Sequence, residues 1–233
     1  MKPSWCEEFA TAFDQRSDFY RLLSSIFYKE VSEEFIERLA GLDLAGQDGG
    51  AEFDAAARDL ARYVARRGPD ARTDLAVDYA HLFLAAGVYE GDAACPYESI
   101  YTSERRLMMQ EARDEVVKVY RANGVDVNGS LNVPEDHLSF ELEFMAIMSD
   151  RAAQIARREN VLPSDLAELA VNLGVQREFA RTHLLNWLPM LAGQIKKLAD
   201  QEFYPAIIRL SIAYVREDEL LLDEMLGVVE EQR

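Results

Sequence analysis

Helical spacing of apolar residues is the feature that most constrains the fold of this chain. In the first segment, large apolar residues recur at intervals near 3.6 residues, which places them on one face of an amphipathic helix. This face is formed by Trp5, Phe9, Phe13, Tyr20, Leu23 and Phe27. No stretch sustains the alternation of apolar and polar residues that a half-buried strand requires. The sequence therefore predicts an all-α fold, arranged as a single helical bundle domain.

Capping and breaking residues divide the chain into predicted helices. Pro134 is expected in the first turn of one of them, where proline is tolerated, with Glu135 and Asp136 at the positive end of the helix dipole. Another helix is expected to be kinked near Gly174. The first predicted helix starts near Pro3 and Ser4 and carries its apolar face as far as Phe27. The others cover residues 32–39, 52–67, 72–84, 99–123, 134–159, 163–187, 188–199, 203–216 and 217–231.

Two polar connections interrupt the helical pattern, at residues 86–96 and 125–133. Long ordered loops in helical bundles are often functional. The second connection contains Asn128 and Gly129 and is predicted to act as a hinge. It separates an N-terminal part, residues 1–124, from a C-terminal part, residues 134–233, of the one domain.

The chain is strongly acidic, since 42 Asp and Glu against 25 Lys and Arg give a formal net charge of −17. Nucleic acids and anionic membrane surfaces attract Lys and Arg, so this balance disfavours both as partners. A basic partner would be steered toward such a surface. Solubility alone is the simpler explanation of the charge, and the sequence leaves both open.

The N-terminus and the cysteines bear on location. The first eight residues include Glu7 and Glu8 where a secretory signal would have an apolar run, and no stretch is long and apolar enough to span a membrane. The two cysteines, Cys6 and Cys95, have no metal-ligand spacing and favour a reducing compartment, although a disulfide between them stays open. We expect a cytoplasmic protein.

A search for catalytic motifs finds no phosphate-binding loop, dinucleotide fingerprint, zinc-protease motif or nucleophile elbow. The three histidines, His81, His137 and His183, are too few for a predicted metal cluster. The sequence therefore predicts no catalytic residue, no metal and no cofactor. Asp136 and His137 have the ingredients of a general acid–base pair, so a small hydrolase is an alternative, but it lacks a nucleophile.

Four segments resemble the TorD/DmsD/NarJ family of redox-enzyme maturation chaperones, most closely its TorD/DmsD branch. Residues 78–84 (DYAHLFL), 95–101 (CPYESIY), 134–145 (PEDHLSFELEFM) and 183–189 (HLLNWLP) are similar to its D-Y-x-x-L-F, P-x-E-S-V-Y, P-x-D-H-L-x-x-E-L and H-L-x-x-W motifs. Ile100 replaces the valine of the second motif, and Phe203-Tyr204 matches a following F-Y pair. The resemblance extends from about residue 18 to about residue 215.

The resemblance implies an all-helical, non-catalytic chaperone. Its expected partners are the catalytic subunit of a molybdenum-cofactor oxidoreductase and that subunit's twin-arginine leader, held until cofactor is inserted before export. It implies a monomer or a dimer that exchanges halves through residues 125–133. A generic helical adaptor, which binds a folded oxidoreductase subunit without recognising a leader, as NarJ-like members do, is the alternative.

A twin-arginine leader has two arginines followed by an apolar stretch, so its receptor needs carboxylates beside an apolar surface. The predicted peptide site lies on the first long loop, the helix before it and the start of the Pro134 helix. Its residues are Tyr79, Leu82, Phe83, Pro96, Tyr97, Glu98, Glu135, Asp136 and His137.

Structural roles compete with the predicted binding roles. Asp136 is a candidate helix cap, and His137 a candidate buried hydrogen-bonding histidine. Leu82 continues a helical stripe, as does Tyr79, which favours the core for both. His183 lies between apolar neighbours and is interpreted as structural. Two methionine pairs, Met108 with Met109 and Met145 with Met148, are interpreted either as lining of an adaptable groove or as core.

Overall fold

Ten α-helices make up most of the part of the chain described by the computed structural model, which comprises residues 5–42, 50–86, 93–105, 107–127 and 133–233. The only β-type pairing within these residues is a single bridge. The predicted all-α fold is confirmed. The helices are α1 Trp5–Tyr28, α2 Glu33–Ala40, α3 Ala51–Arg66, α4 Ala71–Phe83, α5 Glu98–Thr102, α6 Glu111–Ala122, α7 Leu138–Ala156, α8 Pro163–Phe179, α9 Leu188–Leu198 and α10 Phe203–Glu231.

Helix α7 lies at the centre of the bundle. It packs along α1 on one side and against α8 on another, while α10 covers α3 and α8. The predicted apolar face of α1 is buried, with Phe13 and Phe27 fully inaccessible. Helix α7 is buried on more than one face, because Leu142 and Phe144, which point to nearly opposite sides of the helix, are 0% and 1% exposed. This central position fixes the residues at the N-terminus of α7 against the rest of the molecule.

A buried ion pair joins α1 to α10. Arg16 donates two hydrogen bonds to the carboxylate of Asp218, and Tyr20 donates its hydroxyl hydrogen to the same carboxylate at 2.6 Å. Arg16 also reaches Ser149 of α7 at 2.7 Å and Gln176 of α8 at 2.8 Å. A buried charge is tolerated when it is paired and its remaining donors are satisfied, as they are here.

The helix predicted over residues 99–123 is wrong. The chain forms the short helix α5, leaves it at Ser103 in an extended conformation and begins α6 only at Glu111. Three consecutive apolar residues, Leu107, Met108 and Met109, lie between the two helices and cannot share one helical face. Met109 has φ 60°, a left-handed conformation that is uncommon for a residue with a side chain.

The start of the Pro134 helix is also later than predicted. Helix α7 begins at Leu138, with His137 as its N-cap residue, so Pro134 lies in the turn that precedes the helix and not in its first turn. The sequence analysis placed the helix start at Pro134 because proline is common in the first turn of a helix. The true start is fixed by His137, whose ring nitrogen accepts the N–H of Ser139 at 3.1 Å.

The C-terminal helices depart from prediction in two ways. Residues 203–231 form one helix, not two, because Leu222, Met225 and Val229 continue its buried stripe past residue 217. Gly174 lies inside regular helix α8 without ending it, and the irregularity falls later, in a π-helical turn over Ala180–Leu184. This turn positions His183 toward α5.

Three further expectations concern the described residues in part. No helix among them is long and apolar enough to cross a membrane. No disulfide joins Cys6 and Cys95, both of which lie within the described residues, so the pairing left open by the sequence is not formed. Residues 87–92 of the first predicted loop and 128–132 of the predicted hinge lie outside the described residues.

Candidate functional site

The two loop ends that carry the second and third motifs meet in one place, which we call the joint and define as residues 95–99 and 135–139. Tyr97 and His137 form an isolated antiparallel bridge. The N–H of Glu98 donates to the carbonyl of Asp136 at 3.0 Å, and the N–H of Leu138 donates to the carbonyl of Pro96 at 2.9 Å. The joint connects the predicted N-terminal part of the chain to the C-terminal part.

Asp136 holds the joint with its side chain. It is fully buried and accepts hydrogen bonds on Oδ2 from both the hydroxyl and the backbone N–H of Ser99, the latter at 2.9 Å. Ser99 lies in the first turn of α5, where backbone N–H groups lack helical partners. Asp136 therefore caps α5 rather than its own helix. Its second oxygen, Oδ1, has no hydrogen-bond partner within the described residues.

Glu98 faces the opposite direction, into a buried polar cluster. Its Oε2 lies 3.0 Å from Nδ1 of His183, which the π-helical turn carries, and its carboxyl group is hydrogen-bonded to Glu141 of α7. Trp187 donates its indole N–H to His183's carbonyl at 2.7 Å and to Oε2 of Glu141 at 3.2 Å. The exposed fractions of Glu98 and Glu141 are 2% and 0%.

The two buried carboxyl groups of this cluster, Glu98 and Glu141, both have raised pKa values. Burial, followed by the charges of Glu98 and Asp136, raises the pKa of Glu141 well above its ordinary value. Burial also raises the pKa of Glu98, while its hydrogen bond to His183 acts in the opposite direction. Two carboxyl groups can share a hydrogen bond only if one carries the proton. We assign that proton to Glu141, the more deeply buried of the two.

His137 has a structural role in the joint. Its Nδ1 caps α7 by accepting the N–H of Ser139, and the same atom lies 2.7 Å from the hydroxyl of Ser139. Its ring packs edge-on against Tyr97 with centroids 4.9 Å apart. Burial lowers the pKa of His137 to about 4, so the imidazole is neutral at physiological pH and available as an acceptor.

Glu135 is the one predicted carboxylate at the surface of the joint. Both of its oxygens bind the guanidinium of Arg113 on α6, at 2.7 and 2.8 Å. The pair holds the pKa of Glu135 below its ordinary value, chiefly through the hydrogen bond to Arg113. The three carboxylates predicted to bind a partner's arginines are thus engaged inside the protein, Glu98 with His183, Asp136 with Ser99 and Glu135 with Arg113.

The apolar residues predicted for the site lie deeper than a surface groove. Leu82 is fully buried, and Tyr79 and Phe83 are 3% and 4% exposed. Tyr79 donates its hydroxyl hydrogen to the carbonyl of Phe27 at 3.0 Å, which ties α4 to α1. Pro96 is buried and Tyr97 half-buried. The core positions proposed for Tyr79 and Leu82 are confirmed, and peptide contact by any of the nine residues stays a prediction.

An apolar groove opens beside the joint, with a volume of about 580 Å³. Its two walls come from the chain around α5 and from α9. Leu107 and Met108 are 54% and 49% exposed, and Met190 is 43% exposed. Large side chains this exposed in one place are a mark of interaction surfaces. The groove is lined by Ala85, Ala93, Cys95, Ile100, Tyr101, Leu107, Met108, Met190, Gly193 and Gln194.

Two residues at the groove have an unusual backbone conformation, and three acidic residues lie near it in the sequence. Ala85, in its wall, has φ 53°, and Met109, at its edge, has φ 60°; within the described residues no other residue with a side chain has a positive φ. Such backbone strain concentrates at functional sites. Glu104, Glu111 and Glu115 are exposed next to it in sequence, and no ion pair engages them within the described part of the chain.

The sequence analysis left the positions of the two methionine pairs open and did not include His183 in the site. Met108 and Met109 were open between groove and core, and they lie at the surface, whereas Met145 and Met148 are core. His183 was interpreted as structural and left out of the site, yet it is the partner of Glu98. The signal for His183 was its place in an apolar stripe, because a buried polar side chain must have a partner.

Together these features describe an all-helical protein in which the second and third motif segments meet at a buried joint beside an apolar groove. Comparison with known proteins defines it further. The family model described as nitrate reductase delta subunit matches residues 47–193. The chain belongs to this family, which includes the TorD-like chaperones, and the family predicted from the four motifs is confirmed.

Several relatives are named chaperone protein TorD. The protein of Vibrio cholerae serotype O1 (strain O395) is 32% identical over 219 residues, covering 91% of this chain and 94% of that protein. The Vibrio parahaemolyticus protein is 30% identical over 215 residues, covering 90% and 95%. The Psychrobacter sp. protein is 27% identical over 226 residues, covering 94% and 96%. These names support the predicted class of non-catalytic maturation chaperones for redox enzymes.

Proposed function

We propose that the protein is a cytoplasmic chaperone that binds the catalytic subunit of a molybdenum-cofactor oxidoreductase, its twin-arginine leader, or both, and holds it for cofactor insertion before export. The observation that carries this proposal is the apolar groove, whose lining residues Leu107 and Met108 have exposed acidic residues near them in the sequence. Leu107, Met108 and Met190 offer adaptable apolar area for the leader's apolar stretch. Glu104, Glu111 and Glu115 offer carboxylates for its arginines.

The groove also explains how a peptide could bind without dismantling the core. The nine residues predicted from the motifs are mostly buried or internally paired, so direct contact with them needs a rearrangement of the joint. Leu107 and Met108 are accessible as they stand. In this proposal the joint positions the groove, directly through Cys95 and through Ile100 and Tyr101 of α5, which follow the joint in the chain. The groove itself contacts the peptide.

The first test is an affinity pull-down of the tagged protein from its native host, with the retained proteins identified by mass spectrometry. Recovery of one molybdenum-cofactor catalytic subunit with an uncleaved leader supports the proposal and names the partner. If no oxidoreductase is retained while such enzymes are being expressed, the proposal is wrong.

The second test uses a synthetic leader of the recovered subunit, labelled with a fluorophore, and fluorescence anisotropy. Replacing both leader arginines by alanine should weaken binding at least about tenfold, the loss of two charge-assisted contacts. Raising salt should weaken the wild-type leader more than the alanine variant, because the arginine contacts are screened. Equal affinity for the two peptides would contradict leader recognition by charge.

A second candidate function follows from the internal pairing of Glu98, Glu135 and Asp136. If these carboxylates never release their partners, the protein acts as an adaptor that binds a folded oxidoreductase subunit and ignores isolated leaders. This is the NarJ-like alternative. It predicts that the pull-down retains an oxidoreductase subunit, and that this subunit binds equally tightly with and without its leader.

A further inference from the structure

A histidine and two aspartates converge where α4 meets the link between α9 and α10. Asp78 and His81 are three residues apart on α4 and so lie on the same face of the helix. Asp200 comes from the link, far along the chain. One ligand atom from each of the three residues lies within 4.8 Å of the other two. This cluster is separate from the joint and from the apolar groove.

The position of Asp78 is fixed by the fold. Its side chain is 1% exposed, and its two oxygens accept the backbone N–H groups of Asp200 and Gln201 at 3.0 and 3.2 Å. These bonds hold the link against α4 and bring the Asp200 carboxylate to the cluster. Each carboxylate oxygen of Asp78 retains a second lone pair. The backbone bonds therefore leave Asp78 able to bind a cation.

His81 supplies an independent observation. Its Nδ1 is buried and has no hydrogen-bond partner among the described residues. A buried polar atom without a partner costs on the order of 1–3 kcal/mol, so native proteins rarely leave one. An imidazole nitrogen beside two carboxylates is a common metal donor set. A bound cation would give this side chain the partner that it lacks.

We propose that Asp78, His81 and Asp200 form a binding site for a divalent transition-metal ion of the zinc type. Zinc takes imidazole nitrogen and carboxylate oxygen at about 2.0–2.2 Å, and the Asp200 side chain is exposed and so can turn toward an ion. Magnesium and calcium prefer oxygen alone, so the histidine selects against them. A tetrahedral ion held by these three residues would have a fourth position for water, as zinc sites with three protein ligands do.

The site would clamp α4 to the α9–α10 link. Helix α4 carries the core residues Tyr79, Leu82 and Phe83, so the ion would stabilise the packing of this helix. This role does not depend on the proposed chaperone function. No pattern along the chain indicates this site, because Asp200 joins the other two residues only through the fold.

Cobalt(II) is the probe, because it occupies zinc sites and gives a visible absorption that depends on its ligands. Titration of the metal-free full-length protein should give saturable absorption at one equivalent. His81→Ala and Asp200→Asn should each weaken binding at least about tenfold, the scale on which metal sites respond to the loss of a supporting group. His81→Gln serves as a second variant that keeps the side-chain size.

The matched control is Asp70→Asn, which removes one negative charge from an exposed position at the N-terminal end of the same helix. It should leave the affinity for cobalt unchanged. Circular dichroism verifies that every variant is folded. If Asp70→Asn weakens binding as much as Asp200→Asn, the metal is held only by the diffuse field of an acidic protein, and the site assignment is wrong. Displacement of cobalt by an equal concentration of magnesium, or unchanged binding in His81→Ala, also overturns it.

Discussion

Asp136 caps a helix that is not its own, because its Oδ2 accepts the backbone N–H of Ser99 at 2.9 Å in the first turn of α5. The two residues stand on opposite sides of the predicted hinge. Asp136 therefore has a structural role. A binding assay alone would not distinguish the loss of this role from the loss of a direct contact with a partner.

We expect Asp136→Ala to lower the free energy of unfolding by about 1–3 kcal/mol, because it removes the cap of α5 and leaves the Ser99 hydroxyl without its acceptor. Urea denaturation at pH 7 measures this change. Asp126→Ala, at an exposed position, is the control and should stay within about 0.5 kcal/mol of the wild type. A stable Asp136→Ala variant that no longer binds its partner would instead favour direct contact.

The pH dependence of stability should carry the signature of His137. Its folded pKa, about 4, is below the ordinary value near 6.5, so between these pH values the unfolded chain binds a proton that the folded chain does not. Stability is fully present above pH 6.5 and falls by up to about 1.4 kcal/mol per pH unit as pH drops toward 4. His137→Asn keeps a capping acceptor that does not titrate, and it should lose less stability between pH 7 and pH 5. Parallel curves for the two proteins in urea titrations would rule this out.

Glu141 should contribute the opposite dependence of the free energy of unfolding on pH. Its pKa is raised in the folded protein, so above the ordinary value near 4.5 the folded chain keeps a proton that the unfolded chain has released. This contribution to stability is lost as pH rises. Glu141→Gln preserves an acceptor for Trp187 and a donor for Glu98, and its stability relative to wild type should increase from pH 5 to pH 8, by at most about 1.4 kcal/mol per unit. The control is Glu224→Gln, at an exposed position, which should show no such trend.

The groove can be tested with one added charge. Leu107→Glu places a carboxylate in the groove, where it would oppose an apolar peptide stretch, and should weaken binding of the proposed leader about tenfold or more. Leu220→Glu makes the same change at 62% exposure on α10, against 54% for Leu107, and should leave affinity unchanged. Anisotropy with a labelled leader gives both values. If the two variants bind alike, the leader lies elsewhere.

Local patterns were sufficient for much of the fold. The helices α1, α3 and α4 follow their apolar stripes to within a residue or two, because Gly, Pro and Ser mark their ends. The family motifs, although short, placed the first segment of the joint correctly at a loop end. They placed the second at a helix start, although that helix begins at Leu138 and not at Pro134. The prediction of one continuous helix through residue 107 was wrong. Three consecutive apolar residues there do not fit one face of a helix, and the helical periodicity of the residues around them concealed this break.

The remaining features depend on distant contacts. Nothing near Glu98 in sequence indicates His183, and nothing near Asp78 indicates Asp200. The predicted site treated the carboxylates of Glu98, Glu135 and Asp136 as free, because a sequence does not reveal which cation or N–H group will reach them. Burial decided this, since a carboxylate inside a bundle must have an internal partner.

The joint also bears on the balance between one copy and two. Its bonds pair residues before the predicted hinge with residues after it, so two copies that exchanged halves would keep every one of them. The contacts then favour neither form. The choice between them depends on the effective concentration of one part near the other, which a short linker sets in the millimolar range. Dilution would favour the monomer, and lengthening or stiffening residues 125–133 would shift the balance without altering a single contact of the joint.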